Sequence, residues 1–175
     1  MHLKSLIRTI PDYPKTGIQF RDITTLLKDP KGLQLLVDGL AEQYTAHRIQ
    51  KIIGIEARGF VIGAAVAYRL GVGFVPIRKS GKLPAQTFQQ EYALEYGSDV
   101  MEIHQDAIIA GERVLLIDDL IATGGTAIAA VSLIEQLGGN IVGCAFVIDL
   151  PDLGGMQRLQ TLGLQTFALC QFEGE

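Results

Sequence analysis

The chain contains no tryptophan, only two cysteines and only three histidines in 175 residues. Each shortage removes a class of reading. Cys144 and Cys170 both lie inside apolar, strand-like segments, so two buried free thiols in a reducing compartment are expected rather than a disulfide scaffold. His2, His47 and His104 are scattered without ligand spacing, so no metal site built by the protein alone is expected. No apolar run reaches the roughly 18 residues that a membrane-spanning helix needs. The opening MHLKSLIRTIPDYP lacks the apolar core of a signal peptide, and a cytoplasmic protein is expected. Lysines and arginines never cluster beyond adjacent pairs, and the net charge is −4, which argues against a nucleic-acid surface. Neither an internal repeat nor a low-complexity linker interrupts the chain.

What is present is an ordinary globular composition, 48% hydrophobic and 19% charged. The length suits a single domain over residues 1–175, one that buries about two-thirds of its unfolded surface.

The chain is organised around Val114 to Thr126, reading VLLIDDLIATGGT. Four apolar residues, the pattern of a strand buried on both faces of a parallel sheet, run into Asp118 and Asp119. The turn Ala122-Thr123-Gly124-Gly125-Thr126 follows, and then an apolar helical segment from Ala127 to Leu137. Strand, acidic pair, small turn and helix together place ligand groups at the carboxyl end of a strand. Glycines at 124 and 125 let backbone N–H groups crowd one anion, Thr123 and Thr126 add hydroxyls, and the helix points its positive end at the same spot. The two carboxylates repel phosphate. They must serve sugar hydroxyls, a metal ion or a developing positive charge beside it. A Gly-Gly turn alone would be an ordinary strand–helix connection; the full string describes a ribose 5-phosphate site.

Around this stretch the pattern is that of an α/β chain. Leu3 to Ile10 could form a short helix, and Lys15 to Thr24 looks like loop. Asp29-Pro30 starts a helix running to about His47. Lys51 to Ile55 is a buried strand delivering Glu56-Ala57-Arg58-Gly59 to a turn, followed by a helix from Phe60 to Leu70 that Gly71 ends. Gly73 to Arg78 is a strand whose Pro76 calls for an edge or a break. Ser80 to Gln90 has no periodicity and is expected to be a long mobile loop. Tyr92–Tyr96 and Asp99–His104 form a hairpin around Gly97-Ser98. Strands follow at Ile141 to Ile148 and at about Gln165 to Gln171, and the acidic tail is expected to fray. The sum is a mostly parallel sheet of about five strands flanked by helices, with an added hairpin and flexible lid at about 79–104.

VLLIDDLIATGGT resembles the phosphoribosyl pyrophosphate signature of the type I phosphoribosyltransferases. PDYPKTGIQFRDIT, EARGF, IRKSGKLP and EYALEYG, in the order in which they occur here, resemble the adenine phosphoribosyltransferases. The resemblance implies transfer of the 5-phosphoribosyl group from phosphoribosyl pyrophosphate to adenine, giving AMP and pyrophosphate, in purine salvage. It also implies Mg2+ held largely by the substrate, near Asp118 and Asp119, and a homodimer in which some basic residues reach the neighbouring site. By the same resemblance Ala122, Thr123, Gly124, Gly125 and Thr126 hold the 5-phosphate, and Asp118 and Asp119 bind the ribose hydroxyls. Ala57, Arg58, Gly59, Arg78, Lys79, Lys82 and Tyr96 attend the pyrophosphate. Gln19, Phe20, Arg21 and Leu120 form the adenine slot, and Glu95 handles the proton of the incoming base. The alternatives are an enzyme for hypoxanthine, guanine or xanthine, and a non-catalytic sensor of phosphoribosyl pyrophosphate on the same fold.

Overall fold

The computed structural model describes residues 2–94 and 96–174. A short 3-10 turn, Leu3–Leu6, leads into strand β1 (Arg8–Pro11), which pairs antiparallel with β2 (Gln19–Asp22). The expected helix over 3–10 is therefore only half present, and the expected loop over 15–24 contains a strand. Pieces four residues long are too short to show a period. Their pairing is set instead by the turn between them, where the Tyr13 N–H donates to the Ile18 carbonyl at 3.3 Å and Gly17 takes φ +92°.

Helix α1 (Thr24–Leu27) is followed by α2 (Pro30–Tyr44), capped as its sequence demands: the Asp29 carboxylate accepts from the Gly32 N–H at 2.7 Å. Then come β3 (Lys51–Ile55), α3 (Arg58–Leu70), β4 (Gly73–Lys79), β5 (Thr87–Ala93), β6 (Ser98–His104) and β7 (Arg113–Ile121). The chain ends with α4 (Gly125–Gln136), β8 (Asn140–Asp149), α5 (Gly155–Thr161) and β9 (Thr166–Gln171). Helix α5 has no counterpart in the sequence reading. At seven residues it is shorter than the apolar stripe by which a helix is recognised.

Among the described residues the main sheet has seven strands in the order β5-β6-β4-β3-β7-β8-β9. The five from β4 to β9 are parallel, the number expected; β5 and β6 extend the sheet as the antiparallel hairpin. This hairpin corrects the lid expectation, because Thr87 to Gln90 belong to β5 and only residues 80–86 form the connection. The break foreseen at Pro76 is local. Strand β4 lies between β3 and β6, yet β6 meets it only at Arg78 and Lys79, so Pro76 faces no ladder on that side.

Strand β7 is buried on both faces. Leu115 and Ile117 join the core beneath α2 and α3, while Val114 and Leu116 join the core beneath α4. Cys144 and Cys170 are both free thiols. Of the tail expected to fray, Glu175 lies outside the described residues, while the Gly174 N–H donates to the Asp152 carboxylate at 2.7 Å.

Candidate active site

The carboxyl ends of β3, β4 and β7 converge with the tip of the β1–β2 hairpin. Strand β7 continues through the acidic pair to Ile121, so Asp118 and Asp119 sit in its last turn of pleat rather than beyond it. The chain then turns at Ala122 to Gly124, where Gly124 takes φ +87°, and enters α4. That left-handed conformation is the physical reason for glycine at 124. Helix α4 consequently presents its unpaired first N–H groups at the mouth of the turn.

The turn is braced from behind. The Gly155 N–H donates to the Ala122 carbonyl at 2.9 Å and the Arg158 guanidinium to the Thr123 carbonyl at 2.7 Å. With two carbonyls engaged on that side, the opposite side is left to N–H groups and hydroxyls.

A cavity of about 550 Å³ lies in front, within the range of ligand sites. It is lined by the whole Ala122–Thr126 turn, by Asp118, Asp119 and Leu120, by Arg58, and across the gap by Gln19, Phe20 and Arg21 of β2. Tyr13 stands edge-on to Phe20 at 5.1 Å and steadies its ring. The Arg21 guanidinium is engaged elsewhere: it donates to Thr9 Oγ1 at 2.7 Å and lies 4.4 Å from the centroid of the Phe172 ring.

A second cavity of about 200 Å³ adjoins the first and shares Arg58, Asp118, Asp119 and Thr126. Its remaining walls include Glu56, Ala57, Arg78, Lys79 and Tyr92. The peptide Glu56–Ala57 is cis, and Gly59 lets the first turn of α3 lie against β7, where a Cβ would stand 3.1 Å from Asp118 Oδ1. The cations here have acidic partners. Arg58 pairs through Nε with Asp119, Arg78 with Glu56 at 3.4 Å, and Lys79 with Asp99 at 3.5 Å.

Burial, and then the charge of Asp119, hold the Asp118 carboxyl well above the usual range. Hydrogen bonding to Asp119 raises Arg58 still further, so its charge is permanent. The arrangement combines a glycine-bearing turn at a helix N-terminus, an alcove of paired cations and carboxylates, and an apolar slot.

The structure thus brings together most of the residues picked out by their motifs. Lys82 and Tyr96 line neither cavity; Lys82 is exposed in the connection after β4, and Tyr96 is 79% exposed at the hairpin tip. The Lys15 ammonium lies 4.7 Å from the Tyr96 ring centroid, which links that tip to the β1–β2 hairpin. Glu95 lies outside the described residues. Nothing in the motifs singles out Gly155 or Arg158, which lie some thirty positions beyond the turn that they support and carry no local pattern of their own.

A family model, the phosphoribosyl transferase domain, matches residues 23–160. The adenine phosphoribosyltransferase of Methylobacillus flagellatus is 66% identical over 173 residues, covering 99% of this chain and 98% of that protein. The chain belongs to the adenine phosphoribosyltransferase family. The crystal structure of the family member from Rhodothermus marinus superposes with a TM-score of 0.91 at 50% identity, covering 97% of this chain and 96% of that one. The Saccharomyces cerevisiae family member, solved with D-2,5-dideoxy-2,5-imino-altritol 1,6-bisphosphate and adenine, gives 0.89 at 43% identity, covering 95% and 96%. In the family's terms the fold is the type I phosphoribosyltransferase fold, with β5 and β6 as the added hairpin.

Proposed function

We infer that this protein is a purine-salvage enzyme that transfers the 5-phosphoribosyl group from phosphoribosyl pyrophosphate to adenine, releasing AMP and pyrophosphate. One observation carries the reading. A single cavity joins the anion-binding turn Ala122–Thr126, the acidic pair, Arg58 and the apolar walls Phe20 and Leu120.

The reaction breaks the bond from the anomeric carbon to pyrophosphate and forms one to N9 of adenine. Positive charge develops on the ribose ring in between. No protein nucleophile is required; catalysis rests on orientation, on charge placed where charge develops, and on exclusion of water. The turn Ala122–Thr126 grips the 5-phosphate through N–H groups and hydroxyls. Asp118 and Asp119 take the ribose 2- and 3-hydroxyls, and their negative charge favours the cationic sugar.

Arg58, with Ala57 and Gly59 beside it, neutralises the leaving pyrophosphate, helped by Arg78, Lys79, Lys82 and Tyr96. A guanidinium suits this task because its fork matches two phosphate oxygens. To reach them Arg58 must exchange Asp119 for the substrate. The base lies between Phe20 and Leu120, and the backbone of Gln19 to Arg21 accepts from its 6-amino group. A 6-oxo group would leave that acceptor unpaired, at a cost of about 1–3 kcal/mol. Glu95 governs the proton of the incoming base.

Magnesium is proposed as the accompanying ion. The hard oxygen donors of Asp118 and Asp119, which face both cavities, fit a cation that takes its other ligands from phosphate and water. When bound it supplies charge to the pyrophosphate oxygens.

A homodimer in the cytoplasm completes the proposal. Val61 and Tyr68, two turns apart on α3, are 54% and 90% exposed, an apolar row of the kind that interfaces cover. Two free cysteines suit a reducing compartment.

Incubation with adenine, phosphoribosyl pyrophosphate and Mg2+ is expected to yield AMP and pyrophosphate in equal amounts. Failure to form AMP would contradict the reading. Glu95→Gln is expected to leave substrate binding intact and to lower turnover by about 10²-fold or more; unchanged turnover removes Glu95 from the mechanism.

A further inference from the structure

Glu102 is a carboxylate that the proposed reaction does not use, yet it is one of the most deeply buried charged side chains described, at 2% exposure. It lies on β6 opposite Arg78 of β4 on one side and opposite Gln89 of β5 on the other. Residues directly opposite across a ladder share a face, which explains the donors it collects. Gln89 Nε2 donates to it at 3.1 Å and Thr87 Oγ1 at 3.4 Å. The third donor comes from outside the sheet: the Leu83 N–H reaches Oε1 at 3.0 Å. The backbone amide that directly follows Lys82 is therefore held by a buried charge.

Arg78 does not neutralise that charge, for its guanidinium pairs with Glu56. No Lys or Arg among the described residues forms an ion pair with Glu102. Burial alone would push its carboxyl upward, but the hydrogen bonds from Leu83, Gln89, Gly81 and Thr87 outweigh burial and hold it below the usual range. The carboxylate is anionic and satisfied by neutral donors. A polar connection with glycine at its second position, at φ +83°, would otherwise sample many conformations.

We propose that Glu102 is a positioning residue for the leaving group: by holding the Leu83 amide next to Lys82, it fixes where that cation can meet pyrophosphate. This rests on the reading of Lys82 as a pyrophosphate ligand. It adds a reason for a buried acid behind a basic loop, where like charges on the ligand would forbid one in front.

The test compares product inhibition by pyrophosphate with that by AMP. Glu102→Gln keeps the shape but turns an amide group toward the donors. It is expected to raise Ki for pyrophosphate and KM for phosphoribosyl pyrophosphate about tenfold, the equivalent of one charge-assisted hydrogen bond. KM for adenine and Ki for AMP should stay within twofold or so of the parent. Lys82→Ala should raise the same two constants, and the double variant should be no worse than Lys82→Ala alone.

If Lys82→Ala raises Ki for pyrophosphate while Glu102→Gln does not, the positioning role is overturned and the reading of the loop survives. If Lys82→Ala changes nothing, the reading of Lys82 fails and the proposal falls with it. If Glu102→Gln weakens adenine, AMP and pyrophosphate equally, Glu102 only supports the fold, and the proposal is again overturned. Should Glu102→Gln fail to fold, Gln89→Leu removes a single donor at an exposed position. It is then expected to shift Ki for pyrophosphate in the same direction and by less, and no shift would overturn the proposal.

Discussion

Gly155 and Ala122 lie in contact across the back of the phosphate-sized turn. The Gly155 amide donates to the Ala122 carbonyl at 2.9 Å, and a Cβ on Gly155 would stand 2.5 Å from that oxygen and 2.8 Å from the Gly124 nitrogen. The loop that faces the cavity is thus moulded on a second loop far along the chain.

A side chain at 155 must push the turn forward. Gly155→Ala is expected to destabilise the protein by about 1–3 kcal/mol, as overpacking does, and to weaken phosphoribosyl pyrophosphate far more than adenine. Gly73→Ala is the control, because its Cβ would meet nothing nearer than Lys51 Cγ at 3.7 Å. Thermal unfolding together with KM for both substrates checks the pair. Equal effects from the two substitutions would remove the bracing role.

Phe172 braces the wall of the cavity that β2 supplies. The Phe172 ring centroid lies 4.5 Å from the Lys4 ammonium and 4.4 Å from the Arg21 guanidinium. Arg21 Nη2 also reaches the Glu173 carbonyl at 3.4 Å. Each cation–ring contact contributes about 0.5–1 kcal/mol. Phe172→Leu is expected to raise KM for adenine about threefold through β2, corresponding to loss of roughly one such contact, and to leave KM for phosphoribosyl pyrophosphate unchanged. Steady-state kinetics with each substrate varied decides it.

Asp118 opposes stability at neutral pH. Its carboxyl is held well above 3.8 by burial and by Asp119. A group whose native pKa is raised binds more protons folded than unfolded, so its contribution to stability is lost as pH climbs from the unfolded value through the folded one. Asp118→Asn is therefore expected to raise Tm at neutral pH while abolishing most activity. A variant that lost both would show that the ionised carboxylate is needed to hold the fold.

Asp22 behaves in the opposite sense. Hydrogen bonds from the Thr24 hydroxyl, from Arg8 and from the Thr24 amide draw its pKa from 3.8 to about 2. Unfolding then takes up a proton, so this contribution is complete above about pH 4 and is lost as pH falls toward 2. Asp22→Asn should flatten the acid limb of a plot of Tm against pH in that window. An unchanged limb would assign acid unfolding to other carboxylates.

The parts of the fold that were legible in the sequence are those with a period and a stop signal. Helices α2 and α3 fall where Asp29-Pro30 and Gly71 place their ends, and β3 falls on KIIGI. Strands β1 and β2 were not legible because four residues carry no measurable alternation, and their pairing depends on a turn closed by the Tyr13 N–H on the Ile18 carbonyl. The lid looked longer than it is because Gln89 and Gln90 read as loop residues; in the fold Gln89 bonds Glu102 and Gln90 bonds Ser132. Of the site, only the Val114–Thr126 stretch could be read from its own residues; Gln19, Phe20 and Arg21, which also line the cavity, came through the family resemblance. Gly155, Arg158, Glu102 and Phe172 could be read neither way, because each acts through another residue across a long sequence separation.

The most direct test of the account is kcat/KM for adenine, guanine, hypoxanthine and xanthine, measured with phosphoribosyl pyrophosphate and Mg2+. The proposed base slot between Phe20 and Leu120, with the backbone of Gln19 to Arg21 as its proposed acceptor, predicts that adenine exceeds each 6-oxopurine by at least about 10²-fold. Guanine consumed as fast as adenine would contradict it.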